Sequence, residues 1–253
     1  MNITLPATIK ELARWRDAGL KLPVWWRDDD AVEPSAPLDR LLALAERFEA
    51  PIHLAVIPRH ASHELRDRLQ IAPGVFVLPH GWRHENHAPP EAKKAEFEAH
   101  RPASDMVREV SAGRRRLEDL FPDHFLPIFT PPWNRISPEM IEALAAVGFR
   151  AISTFTRRQQ KFAAGGLLQV NTHLDPIAWK SGGGLRPPLQ LDVQLAEDLA
   201  ARRIGHADNE EPYGLLTHHL VHDDAIWAFV ETLLHTFAES GVARWSSPLH
   251  ELR

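Results

Sequence analysis

The stretch LPVWWRDDDA, Leu22 to Ala31, opens with an apolar run and passes into three consecutive acids, Asp28, Asp29 and Asp30. Leu22 to Arg27 has the length and composition of a buried strand. Trp25 and Trp26 are neighbours on it and face opposite sides, which places at least one of them in the core. The same pattern recurs outward from this stretch. Apolar runs at Ile52 to Ile57, Val75 to Leu78, Pro127 to Thr130, Ala151 to Thr154, Leu168 to Asn171 and Gly214 to Thr217 read as strands, and Arg244 to Ser246 as a final one. Helical spacing falls between them, at Leu38 to Ala50, Ser62 to Gln70, Ala103 to Leu120 and Leu189 to Arg203. Ser137 caps a further helix with Pro138 at its first position, and Asp223 caps the last, which runs to Ser240. Alternation of this kind predicts an α/β fold with a parallel sheet and helical crossovers. About seven βα units suit a closed or nearly closed (β/α) barrel, with a doubly wound open sheet as the competing topology. No shift in composition divides the chain, so residues 1–253 read as a single domain.

Of the 253 residues, 44% are hydrophobic and 25% charged, enough for a sizeable core and incompatible with global disorder. A formal net charge of -5 argues against a nucleic-acid partner. The absence of cysteine excludes disulfides, thiolate zinc clusters and a thiol nucleophile. Met1 to Leu20 has no apolar core like that of a signal peptide, and no run approaches the ~18 apolar residues of a membrane span, so the expected location is cytoplasmic. The chain carries 15 histidines, which favours a metal site built from nitrogen and oxygen ligands.

In parallel α/β folds functional groups collect at the carboxyl ends of strands. Reading off the polar residues after each apolar run brings Asp28 to Asp30, then His80, His84 and His87, then Thr130, Trp133 and Asn134, then His173 and Asp175, and last His218, His219 and His222 to one rim. Adjacent carboxylates repel and are tolerated where a cation or proton compensates them. Two histidines four apart, His80 and His84, share a face if their segment is helical, which suits one metal ion. Taken alone, either motif also fits acids that cap a helix or histidines in a surface loop. The basic run Arg114 to Arg116 reads as a solvated helix face. The glycines of Ser181 to Gly184 lack the lysine of a phosphate loop.

These residues resemble the motifs of the polysaccharide deacetylase family, the NodB-homology domain. Arg27-Asp28-Asp29-Asp30-Ala31 stands where that family has T-F-D-D-G. His80-Gly81-Trp82-Arg83-His84 matches H-S/T-x-x-H at both histidines, and Thr130-Pro131-Pro132-Trp133-Asn134 matches R-P-P-Y-G at both prolines and the aromatic. Leu215-Leu216-Thr217-His218 is similar to the last motif, an apolar pair before a histidine. The resemblance implies a distorted (β/α) barrel and a metal-dependent hydrolase of amide bonds, an N-deacetylase acting on an N-acetylated carbohydrate or sugar precursor. It implies one divalent ion, usually zinc, on Asp30, His80 and His84. Asp29 would be the general base and His218 the acid that protonates the leaving amine, while the Trp133 N–H would stabilise the oxyanion. Trp82, Pro132 and Asp175 are the expected substrate contacts.

The chain departs from the pattern in places. Gly81 replaces the hydroxyl residue of the second motif. Thr130 replaces the arginine that pairs with the catalytic aspartate, leaving Arg27 or Arg135 to substitute. The fourth motif has only Asp175 and Trp179 as candidates, with Asp175 able to orient His218. Three aspartates in a row also allow a register in which Asp28 is the base and Asp29 the ligand. Two other readings stand beside the deacetylase. One is a catalytically silent carbohydrate-binding protein, favoured by Thr130. The other is an iron-dependent oxygenase, since two histidines and a carboxylate also bind iron(II).

Overall fold

The computed structural model describes residues 3–252. Helix α1 (Pro6–Asp17) precedes β1 (Leu22–Ala31), α2 (Ala36–Arg47), β2 (Ile52–Val56), α3 (His63–Gln70) and β3 (Val75–Pro79). After a long irregular stretch come α4 (Ala103–Leu120), β4 (Ile128–Phe129), α5 (Pro138–Ala146), β5 (Ala151–Ile152) and the hairpin β6 (Phe162–Ala164) and β7 (Leu167–Gln169). The chain ends with α6 (Pro188–Arg203), β8 (Tyr213–Thr217), α7 (Asp224–Ser240) and β9 (Ala243–Trp245).

Parallel strands β3-β2-β1-β8 form one sheet, with β9 beside the start of β1. Strands β4-β5-β7 form a second parallel set, with β6 antiparallel on its edge. Isolated parallel bridges join the two sheets on both sides, Val77 to Phe125 and His80 to Thr130 at one seam and Leu174 to Leu215 at the other. The result is the expected (β/α) barrel, distorted because both seams rest on single bridges rather than ladders.

Trp25 packs with Leu78, Ile128, Ala151, Leu168 and Val170, drawn from both sheets. Trp26 lies in the larger cluster that includes the buried faces of α2 and α7. Both tryptophans are buried, on opposite faces of β1. Trp25 Nε1 donates to Asn171 O at 3.0 Å, and a Cβ on Gly214 would lie 2.5 Å from that nitrogen and 2.7 Å from Asn171 O. Only glycine lets β8 pass this close. Ser137 and Asp223 cap α5 and α7 as expected, accepting from Met140 N at 3.3 Å and Ile226 N at 2.8 Å. Among the described residues no helix is long and apolar enough to cross a membrane.

Several elements differ from the reading of the sequence. The first strand does not stop at Arg27. It continues to Ala31, because Asp28 and Asp29 pair with Leu54 and Ala55 of β2 and Asp28 also with Thr217 of β8. A strand flanked on both sides keeps its ladder even where its side chains are charged. Helix α1 was not expected, since its buried face mixes Leu12 and Trp15 with Thr8 and Glu11. The β6–β7 hairpin turns on Gly165-Gly166 and is too short to show a period. His80 to His84 is a loop rather than a helical turn, with Gly81 at φ +60° and His84 at φ +58°.

His53 of β2 is buried, with Nδ1 3.0 Å from Trp26 O and its ring stacked on Phe76 at 5.1 Å. Burial lowers its pKa to about 4, against 6.5 for the free side chain. The unfolded chain therefore binds the extra proton first as pH falls. Stability is complete above pH 6.5 and is lost between there and about pH 4, by roughly 3 kcal/mol. In urea titrations at a series of pH values, His53→Leu should keep that roughly 3 kcal/mol between pH 7 and pH 4. Parallel pH dependence in the two proteins would disprove the assignment.

Candidate active site

Asp30 sits at the end of β1 with φ +78°, where the pairing with β2 slips between Asp29 and Ala31. A non-glycine residue in this region marks a bulge that re-aims its side chain. His80 follows β3, and His84 ends the loop after it. His80 Nε2 lies 3.2 Å and His84 Nε2 3.5 Å from Asp30 Oδ1, and one ligand atom from each residue falls within 4.8 Å of the others.

His80 Nδ1 is 3.0 Å from Thr130 O. A carbonyl only accepts, so that nitrogen carries a proton and Nε2 is left to face Asp30. A ring lone pair and a carboxylate oxygen at this distance need a proton or a cation between them. Burial opposes charge on His80, yet Asp29 and Asp30 outweigh it and push its pKa up. Burial likewise opposes charge on Asp30, and His80 more than offsets it, holding the carboxyl below its usual range. Burial, with the nearby His80, lowers His84 to about 4, so its ring is neutral and free to ligate. Asp30 Oδ1 is buried without a well-directed hydrogen bond. Two imidazole nitrogens and this orphaned oxygen make an open three-ligand set of the kind that holds a divalent ion.

Asp29 is held by its own strand. Arg27 lies two residues earlier, on the same face, and donates to both carboxylate oxygens, from Nε to Oδ1 at 2.8 Å and from a terminal nitrogen to Oδ2 at 3.0 Å. Arg27 is 0% exposed, and its other bonds go to Ser153 Oγ at 2.7 Å, Ser153 O at 3.2 Å, Thr154 O at 3.4 Å and Asn134 Oδ1 at 3.1 Å. Of the two arginines open to this role, Arg27 takes it. Arg135 points away and bonds Lys94 O.

His218 follows β8 and brings Nε2 to 4.0 Å from Asp29 Oδ2. Its ring meets Trp179 edge-on at 4.8 Å, and Trp179 Nε1 donates to Asp175 Oδ2 at 2.8 Å. The other oxygen of Asp175 accepts from Ile177 N, and burial raises the pKa of this carboxyl. Asp175 thus reaches His218 through Trp179 rather than by a direct hydrogen bond. Trp133 sits at φ +54°, with its ring 4.4 Å from that of His84. Pro132 is buried against Gly81, and Trp82 packs on the cluster of Phe97 and Met106. The structure therefore gathers Asp29, Asp30, His80, His84, His218 and Trp133, with Pro132 and Asp175 buried and Trp82 half-buried.

Asp28 faces the other side of β1. It accepts from Thr217 Oγ1 at 2.6 Å and from His219 N at 3.0 Å, and lies 2.5 Å from His219 Nδ1. Of the two registers, the geometry groups Asp30 with the histidines and leaves Asp29 on Arg27. One residue at the site was missed from sequence. Glu96, in the irregular stretch after His84, is fully buried and accepts from the amides of Trp82, Arg83 and His84. No motif marks it. The signal was Gly81, which left the loop without the hydroxyl of the motif it resembles.

No family model and no curated protein matches the chain. Solved structures do. A Mycobacterium smegmatis protein assigned as a polysaccharide deacetylase matches with a TM-score of 0.65 and 15% identity, over 92% of this chain and 89% of its own. A family 4 carbohydrate esterase from Streptomyces lividans, bound to acetate, matches with a TM-score of 0.56 and 16% identity over 90% and 94%. A family 4 acetyl xylan esterase from Clostridium thermocellum, holding a cobalt ion, matches with a TM-score of 0.52 and 12% identity over 90% and 89%. The chain has the fold of these polysaccharide deacetylases and family 4 esterases.

Removing Arg27 would leave Asp29 buried and unpaired. Arg27→Met should lower the unfolding free energy by about 3–5 kcal/mol at pH 7, as breaking one side of a buried pair does. Arg27→Met with Asp29→Asn should recover part of that loss in the same urea titration. A loss below about 1 kcal/mol in the single variant would mean that the pair is not coupled.

Proposed function

We propose that the chain is a metal-dependent hydrolase of carbon–nitrogen bonds, an N-deacetylase that removes an acyl group from an N-acetylated carbohydrate or sugar precursor. One observation carries this reading. A base fixed by an arginine, Asp29, and a histidine, His218, stand 4.0 Å apart beside a three-ligand set. A divalent ion on Asp30, His80 and His84, for which zinc is the best chemical match, would polarise the acyl oxygen and lower the pKa of a bound water to about 7.

The chain's own residues do the rest. Asp29 takes a proton from the attacking water. Arg27 does not block this, because each carboxylate oxygen has a second lone pair. The guanidinium fixes the direction of that lone pair. His218 gives a proton to the leaving nitrogen, which would otherwise depart as a poor anion. Trp179 bounds His218 on one side and limits where that proton can go. The N–H of Trp133 donates to the oxygen that gains charge in the tetrahedral intermediate. Thr130 favoured a silent carbohydrate-binding protein on this fold, because an arginine is missing there. Arg27 reaches the aspartate from another strand in its place, which supports the hydrolase over that reading.

Two measurements test the proposal together. Elemental analysis should find about one divalent ion per chain after incubation with zinc, and well under one in His84→Ala, which keeps only weak binding through Asp30 and His80. Acetate release from a panel of N-acetyl sugars should fall by about 100- to 10,000-fold in kcat for Asp29→Asn, the range for loss of a general base. A wild-type protein that takes up no zinc, cobalt or iron would overturn the hydrolase. Oxygen consumption with iron and no acetate release would replace it with an oxygenase.

A further inference from the structure

We propose that Glu96 is a positioning residue that shapes the ligand loop and sets the affinity for metal through His84. This rests on the reading above that Asp30, His80 and His84 hold a divalent ion. The two histidines are oriented by different means. His80 has a bond of its own, from Nδ1 to Thr130 O at 3.0 Å. His84 is placed by its backbone, at φ +58° in the left-handed region, where a histidine stays only if its surroundings hold it.

Glu96 supplies the hold. Its Oε1 accepts from Arg83 N at 2.7 Å, and its Oε2 from Trp82 N and His84 N, both at 3.2 Å. Three consecutive part-buried amides converge on one carboxylate. The backbone that aims them at it passes through the left-handed region at both ends of the loop, with Gly81 at φ +60° and His84 at φ +58°.

The identity of residue 81 belongs to the same device. A side chain there would run into Glu96 Oε2, and its Cβ would lie 2.6 Å from Pro132 Cγ. A hydroxyl residue at 81 and a carboxylate at 96 cannot both occupy this space. Glu96 is itself locked. Ala95 N donates to Asn86 Oδ1 at 3.0 Å, Ser137 N donates to Phe97 O at 2.9 Å, and Phe97 bridges to Ile136.

The test is the binding of Co2+ alone to the full chain, followed by its visible absorption. Glu96→Ala should weaken Co2+ by about 10- to 100-fold, the range for a lost outer-shell partner. Its spectrum should move toward that of His84→Ala. Once His84 is alanine, removing Glu96 as well should cost nothing more, whereas a purely structural role would give additive losses. Glu96→Gln keeps acceptor oxygen and volume, and should fall between wild type and alanine. It decides the matter if the alanine variant fails to fold. Wild-type affinity and spectrum in Glu96→Gln, or additivity with His84→Ala, would overturn the proposal while leaving the metal site standing. Failure of the wild type to bind Co2+ would bring down both.

Discussion

A guanidinium cannot shed its proton, so an arginine with no exposed surface has to be surrounded by acceptors. Arg27 is such a residue, and its acceptors come from three places in the chain. Asp29 lies on the same strand, Asn134 follows β4, and Ser153 follows β5. One side chain of the first sheet thus ties down two segments of the second. The ties matter because β4 and β5 are two residues long each and pair through a short ladder. They also steady the turn at Trp133 and Asn134, two successive residues at positive φ that cost on the order of 1–3 kcal/mol each. Asn134 is tied there by the bond from Arg27 and by its own amide on Pro131 O.

The same pair explains how a motif can change while its chemistry persists. An aspartate that acts as a base inside a barrel needs a fixed positive partner, and the strand of origin is immaterial. In this chain an arginine sits two residues before Asp29, where the pleat of β1 delivers it to the same face. The loop between the two histidines follows a similar logic. Its part-buried amides converge on a carboxylate from residue 96, where a hydroxyl at residue 81 is absent. Each departure from the pattern has a counterpart elsewhere that supplies the same physical requirement.

Much of this was legible in the sequence. The apolar runs gave the barrel strands and the order of the elements, because buried parallel strands read as continuous hydrophobic stretches. The polar residues after those runs gave Asp30, His80, His84 and His218, because strand ends converge on one rim. Other features were not legible, for reasons of scale. A two-residue strand has no period, so β4, β5 and the β6–β7 hairpin could not be bounded. Whether His80 to His84 was a helical turn or a loop stayed open, because spacing carries no information about left-handed backbone. The choice between Arg27 and Arg135 depended on which side of a strand or turn each would face. Glu96 was hidden most completely, since its partners are backbone amides, which have no sequence signature.

Three adjacent carboxylates were the least comfortable feature of the chain, and the structure shows why they coexist. Strand alternation sends Asp28 to the opposite face from Arg27 and Asp29, where it meets His219. Burial there opposes its charge, yet His219 and Thr217 more than compensate and lower its pKa. Asp29 has Arg27. A regular strand would then return Asp30 to the side of Asp28, away from the histidines. The bulge at Asp30 breaks the alternation and turns its carboxylate toward His80 and His84. Each acid thus has its own cationic or cation-binding neighbour. A one-residue slip of β1 would separate Asp28 from His219 and Asp30 from His80 and His84, and would pull Arg27 away from Ser153 and Asn134 while leaving it beside Asp29. The register of the central strand is therefore set by these cross-strand matches as well as by the packing of Trp25 and Trp26.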